Sequence, residues 1–121
     1  MTVEEKVRQF KMQIDTAAKE GLRIANLSIV HEARKLSVDA GTGKTWYQVD
    51  IWLEGPDGLR NDVRSVDYEL HPTFNPQEVS RTTPPRFPLQ LRVWGEFTIR
   101  ASVNFKDGSS ARLARYLSLP R

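Results

Sequence analysis

The chain has 121 residues, a length that suits one domain with a modest hydrophobic core. It contains no Cys, which excludes a disulfide framework, a thiolate zinc site and a cysteine nucleophile, and a cytoplasmic setting is the expectation. No apolar run approaches the roughly 18 to 20 residues of a membrane-spanning helix, and the N-terminus lacks the apolar stretch of a secretory signal, so no membrane association is expected.

The net charge of +3 is unevenly distributed along the chain. Residues 1–79 carry 10 Lys and Arg against 13 Asp and Glu, whereas residues 80–121 carry 8 against 2. Such an Arg-rich half could meet nucleic acid or an acidic partner. Arg100, Arg112 and Arg115 fall at polar positions of alternating segments, however, so a solvated sheet face explains them and nucleic-acid binding is not expected.

Residues 2 to 20 are predicted to form an α-helix within an N-terminal segment, residues 1–21. Thr2 and Glu5 have the spacing of a capping box, and Gly21 is a natural stop. Apolar residues repeat at four-three spacing along one face: Val3, Val7, Phe10, Ile14 and Ala17. This stripe could pack on the rest of the chain, pair with a second copy in a homodimer, or dock on a larger protein.

Residues 22–121 are predicted to form an all-β domain. Alternating apolar residues indicate strands around Ala25 to Ile29, Tyr47 to Leu53 and Val63 to Leu70, and Gly55 to Gly58 has turn composition. His31, beside Glu32, is assigned to a solvated strand edge rather than to a metal site.

The second half of this domain continues the pattern. Five prolines exclude the connection from Pro72 to Pro88 from any central strand. Strands are predicted from Glu96 to Phe105 and from Ala111 to Leu119, with Lys106 to Gly108 as the hairpin turn. Seven or eight short strands separated by turns predict an immunoglobulin-like two-sheet β-sandwich.

Signals for enzymatic chemistry are weak. Gly43-Lys44-Thr45 imitates the end of a phosphate-binding loop, but the required earlier glycine would fall at Val38. No Ser lies in a nucleophile elbow, and the two histidines are too few for a convincing metal cluster. We therefore expect a protein that is not an enzyme, with no catalytic residues, metal or cofactor.

Two aromatic residues stand at strand ends. Phe74 follows one predicted strand and Trp94 precedes another, so both come to the same end of the domain if these strands are antiparallel. A site that selects a neutral planar amide must use stacking for affinity and a few hydrogen bonds for orientation. The two aromatics could supply the walls of such a slot. They could equally be packed loop residues, as an immunoglobulin-like sandwich keeps aromatics in or beside its core.

Several motifs occur together in one order along residues 24–119. They are the run LHPTF ending at Phe74, the pair Pro84-Pro85 with Phe87 and Leu89 after it, the tetrad WGEF beginning at Trp94, and a closing alternating strand ending in Asp107-Gly108. Together they resemble a YEATS domain, and the prokaryotic branch more than the histone-reading eukaryotic one. The resemblance implies the same immunoglobulin-like fold and a binding module for acylated lysine in a protein partner.

The resemblance also implies roles for individual residues. Phe74 and Trp94 would be the walls around an acetyl- or crotonyl-lysine head, and Thr73 would be its hydroxyl partner. The remaining candidates are His71 as a loop-ordering or rim group, the Gly95 and Glu96 amides as donors to the acyl oxygen, and Trp46 as a third aromatic. Backbone satisfaction alone would also explain His71.

The sequence departs from the family pattern at Val93, which stands where glycine is common before the tryptophan and narrows the backbone conformations of that loop. Prokaryotic YEATS domains are associated mainly with signalling and conflict-type proteins, and they have no nucleosome tail to read. The alternative function is a structural adaptor that acts through the N-terminal helix, with no ligand in the slot. Phe97, Ile99 and Phe105 are assigned to the core.

Overall fold

A computed structural model describes residues 25–120 of the chain. Within this range the regular elements are β1 (Ser28–Val38), β2 (Thr45–Glu54), α1 (Asp57–Asn61), β3 (Val63–Glu69), β4 (Glu78–Arg81), β5 (Leu89–Val93), β6 (Thr98–Phe105) and β7 (Ser110–Tyr116). The predicted N-terminal helix over residues 2 to 20, with the dimerisation or docking assigned to its apolar stripe, lies outside the described residues.

The strands form two antiparallel sheets. One has three strands in the order β1-β2-β5, and the other has four in the order β4-β3-β6-β7. The predicted two-sheet β architecture is therefore confirmed. Since β4 is an edge strand, the proline-bearing connection from Pro72 to Pro88 supplies no central strand, as its composition requires.

The core lies between the facing surfaces of the two sheets. Every second residue of the central strands points inward and is buried, as in Val49, Ile51 and Leu53 of β2 and Ile99 of β6. This period of two is the one that the alternating sequence predicts. Ile99 and Phe105 are buried as expected.

One buried hydrogen bond fastens the proline-bearing connection to the core. Phe87 adopts a left-handed backbone conformation, with φ of 50°, and its side chain is buried. Its carbonyl accepts a hydrogen bond of 2.7 Å from the Tyr68 hydroxyl of β3, which is also buried. Burial raises the pKa of Tyr68, and the nearby Arg81 opposes this only in part.

Several predicted boundaries are wrong. Ala25 and Asn26 are helical rather than extended, and β1 begins at Ser28 and continues to Val38. β1 is an edge strand and its second half is exposed, so its sequence needs no apolar alternation there. The full length of the strand therefore could not be predicted. The segment Gly55 to Gly58 is more than a turn, because it leads into α1. Leu59 and Arg60 both donate their backbone N–H groups to the Pro56 carbonyl, and these bonds begin the helix.

The segment after β7 leaves the ladder and joins the two sheets. β7 ends at Tyr116 rather than at Leu119. Arg115 donates to His31 Nδ1 at 3.0 Å, so the proton of this ring is on Nε2, which donates to the Ser118 carbonyl at 2.9 Å. His31 is therefore a structural link between the sheets and more than a solvated edge residue.

In residues 25–120 no helix is long and apolar enough to cross a membrane. In the same range no group of three or more His, Asp or Glu side chains is arranged to hold a metal ion.

Candidate functional site

Three chain segments meet at one end of the sandwich. β3 and β6 are antiparallel neighbours, so the loop after β3 and the link before β6 lie side by side. The link, Trp94 to Phe97, carries the chain from β5 in the three-stranded sheet to β6 in the four-stranded one. The start of β2, paired with the end of β5, brings Trp46 to the same place. The condition under which Phe74 and Trp94 come to the same end of the domain, an antiparallel pairing of these two strands, is therefore met.

A cavity of about 320 Å³ opens between these segments. Its walls contain all seven residues singled out from the sequence, namely Trp46, His71, Thr73, Phe74, Trp94, Gly95 and Glu96. Three further wall residues, Arg92, Val93 and Phe97, were not among the predicted ligand-binding residues, and Val93 was considered only for the backbone of its loop. The signal that could have found Arg92 is its place two residues before Trp94. A binding role for any of the ten remains a prediction.

Phe97 has a different position from the one predicted. It was assigned to the core, but it is only half-buried and contributes to the cavity wall. Its ring packs against Phe74 at 5.6 Å between centroids and meets His71 edge-on at 5.9 Å. Phe97 precedes β6 at the end of the inner face, where the sandwich opens, so inward alternation leads here to a cavity rather than to closed core.

His71 and Thr73 form a tight hydrogen-bonded turn. The Thr73 backbone N–H donates to His71 Nδ1 at 3.2 Å, and the Phe74 N–H donates to the His71 carbonyl at 2.9 Å. A backbone N–H can only donate, so Nδ1 is an acceptor and the ring proton is on Nε2. The Thr73 hydroxyl, 2.9 Å from the same Nδ1, must then donate its proton to the ring. Its oxygen keeps lone pairs that can accept from a ligand.

Trp94 is an exposed aromatic residue of the cavity wall, with 53% of its surface accessible. The Lys44 ammonium lies 4.0 Å from the centroid of the Trp94 ring, within the range of a cation–π contact. Lys44 belongs to the β1–β2 connection, where Asp39 and Lys44 are joined by a backbone hydrogen bond of 2.7 Å. The sequence that imitates a phosphate-binding loop is therefore a hairpin tip that touches the aromatic wall.

The Glu96 side chain connects the cavity wall to the segment that ends and follows β7. One carboxylate oxygen accepts the Leu119 backbone N–H at 2.7 Å, and the other lies 3.4 Å from the Tyr116 hydroxyl. Leu117 donates a backbone N–H to the Phe97 carbonyl at 2.9 Å. The segment after β7 therefore holds the link from Trp94 to Phe97 in place, and the carboxylate of Glu96 is already engaged.

The comparison with protein families bears on this same region. A family model described as the prokaryotic YEATS domain matches residues 47–118, which is more than half of the chain. The chain belongs to the prokaryotic YEATS domain family. The match includes every wall residue of the cavity except Trp46, which directly precedes it.

Solved structures with the YEATS fold are also similar to this prokaryotic YEATS chain. The yeast AF-9 homologue Yaf9 is 24% identical with a TM-score of 0.64, over 79% of this chain and 68% of that one. The Yaf9 YEATS domain bound to H3K27ac is 23% identical with a TM-score of 0.63, over 78% and 72% of the two chains. The Yaf9 YEATS domain recognising an H3K122suc peptide is 24% identical with a TM-score of 0.61, over 77% and 73%. At this level of identity the likeness establishes the YEATS fold.

Proposed function

We propose that this prokaryotic YEATS domain is a non-catalytic binding module that takes the acyl-amide of an acetylated or crotonylated lysine from a protein partner. The observation that carries the proposal is the cavity itself, whose walls combine aromatic rings with a threonine that donates its hydroxyl proton to a histidine. The proposal includes a cytoplasmic setting and a role in a prokaryotic signalling or conflict system.

The aromatic walls suit a flat, uncharged head group. An acyl-lysine amide offers no charge to pair, so its affinity must come from stacking and apolar burial. Phe74 and Trp94 act as the two walls, with Trp46 as a third aromatic at the edge. Phe97 packs on Phe74 from within the domain and fixes the orientation of that wall.

The polar groups then orient the amide. The Thr73 oxygen accepts the amide N–H, because its own proton is donated to His71. The backbone amides of Gly95 and Glu96 are the candidate donors to the acyl oxygen. His71 acts through Thr73 and is a positioning residue rather than a direct ligand contact.

The structures of related domains are consistent with this proposal. Yaf9 YEATS domains are named for complexes with H3K27ac and with an H3K122suc peptide, both of which carry an acylated lysine. The partner of this chain would be a different acylated protein, because the prokaryotic family has no nucleosome tail to bind.

The test is calorimetric titration of the full chain with acetylated, crotonylated and unmodified versions of one lysine peptide. We expect binding of the acylated peptides alone, weakened at least about fivefold by Trp94→Ala, since one lost aromatic contact removes about 1 kcal/mol. Trp52→Ala is the matched control, because Trp52 lies six residues from Trp46 along β2 and is not in the cavity wall. If Trp94→Ala leaves the affinity for every acylated peptide unchanged, the slot is not the binding site.

A further inference from the structure

Two cationic side chains stand at the edge of the aromatic cavity. Arg92, on β5, contributes directly to the wall and is exposed. Lys44, from the β1–β2 connection, places its ammonium 4.0 Å from the centre of the Trp94 ring. The two come from different parts of the chain: Lys44 contacts Trp94, and Arg92 lines the same cavity as Trp94.

No carboxylate of the described residues neutralises these cations. Within residues 25–120, neither Lys44 nor Arg92 forms an ion pair. Glu96 is the single acidic residue among the described residues of the cavity wall, and its carboxylate oxygens bond to the Leu119 backbone N–H and the Tyr116 hydroxyl. Among the described residues, the rim of the cavity is therefore positively charged while its interior is aromatic.

A site with this charge distribution favours a ligand with an apolar stem and an anionic end. We propose that the preferred ligand is a lysine whose acyl chain ends in a carboxylate, as in a succinyl group, with Lys44 and Arg92 as the residues that select this charge. The inference rests on the proposed function, because it assigns the acyl class for the same cavity.

The physical reasoning separates the two parts of such a ligand. The amide and methylene groups of the acyl chain lie between the aromatic walls, as those of a neutral acyl chain would. The terminal carboxylate reaches the rim, where it forms charge-assisted hydrogen bonds with the guanidinium or the ammonium. Because the rim is open to solvent, the gain is moderate and decreases with ionic strength.

The test compares two acyl groups of equal length that differ in charge. One peptide with neutral flanking residues carries its lysine in butyrylated or succinylated form, and both are titrated into the full chain. We expect the succinylated peptide to bind about three- to tenfold more tightly at low salt, as two partly exposed ion pairs allow. Raising the salt from about 50 to about 500 mM should reduce this ratio toward one.

Removing one positive charge at a time tests whether Lys44 and Arg92 cause the preference for the succinylated peptide. Lys44→Met and Arg92→Met keep the length of the stem but remove the charge, and each should lower the succinyl-to-butyryl affinity ratio by about two- to fivefold. Lys106→Met and Arg112→Met are matched controls. Lys106 follows β6 at the opposite end of the sandwich, and Arg112 is exposed on β7 outside the cavity, so both should retain the wild-type ratio.

The outcomes distinguish this inference from the proposed function. Equal or weaker binding of the succinylated peptide, with both peptides bound, overturns the acidic-acyl preference and leaves the acyl-lysine reader standing. Binding of neither peptide refutes both. A succinyl preference that survives in both charge-removed variants also overturns the inference, since it would come from charge elsewhere on the protein.

Discussion

Replacing the Thr73 hydroxyl tests the hydrogen-bonding role of the slot without disturbing the fold. Thr73→Val keeps the β-branched shape and leaves the backbone N–H to His71 in place, but it removes the oxygen that would accept the ligand amide. Thr73 is exposed, so its substitution should change the free energy of unfolding by less than about 0.5 kcal/mol.

The expected loss of affinity follows from the bond that disappears. A net hydrogen bond contributes about 0.5 to 1.5 kcal/mol, and an amide N–H left unpaired between aromatic walls adds a desolvation cost. Together these give about 1 to 2 kcal/mol, or about a 5- to 30-fold rise in Kd. Calorimetric titration with an acetylated peptide measures it directly. Thr73→Ser is the control that retains the hydroxyl and should bind within about twofold of the wild type.

Substituting His71 together with Thr73 gives a stricter test of the same hydrogen bond. If His71 acts by holding the Thr73 hydroxyl, His71→Ala should cost much more in the wild type than in Thr73→Val, and a double-mutant cycle measures the difference. In the Thr73→Val background, His71→Ala should still lower the affinity somewhat, because it also removes the edge-on contact between His71 and Phe97. Unchanged affinity in Thr73→Val, or strictly additive effects of the two substitutions, would refute the proposed hydroxyl relay.

The other predictions concern the walls and the scaffold. Phe74→Ala should lower both acyl-peptide affinity and thermal stability, because this half-buried ring packs on Phe97. Trp94→Ala should leave the melting temperature nearly unchanged, because Trp94 is exposed. Equal losses of stability in the two variants would contradict this distinction. Gly55→Ala should destabilise the domain by about 1 to 3 kcal/mol in urea unfolding, because its Cβ would lie 2.7 Å from the Asn26 carbonyl oxygen at a φ of 156°, and a smaller effect would mean that this contact relaxes. Tyr68 has a raised pKa in the folded state, so its contribution to stability is complete below the ordinary tyrosine pKa of about 10 and is lost as the pH rises above it. Tyr68→Phe should flatten this alkaline decline in pH-dependent unfolding, and an identical decline in both proteins would contradict the assignment.

The strands of the domain were largely predictable because their side chains alternate. β2, β3 and β6 each have one buried face and one less buried face, which gives the sequence a period of two. β1 was underestimated because an edge strand with exposed residues carries no such signal. α1 was missed because its helix depends on backbone bonds to Pro56 that composition does not reveal.

The candidate site was predictable in its members but not in its limits. Phe74 and Trp94 could be brought together because strand ends and antiparallel pairing fix which loops are neighbours. Phe97 was assigned to the core because alternation gives the direction of a side chain and not the point where the two sheets part. The contact of Lys44 with Trp94 depends on how far the β1–β2 hairpin extends, which no local pattern encodes.

The most direct measurement is an NMR titration that follows the indole resonance of Trp94 as acetylated, crotonylated and unmodified lysine peptides are added. If this domain is an acyl-lysine reader, the acylated peptides alone shift that resonance, and the shifts saturate with ligand concentration. A Trp94 indole that remains unperturbed by every acylated peptide would contradict the proposed function, while the YEATS fold would stand.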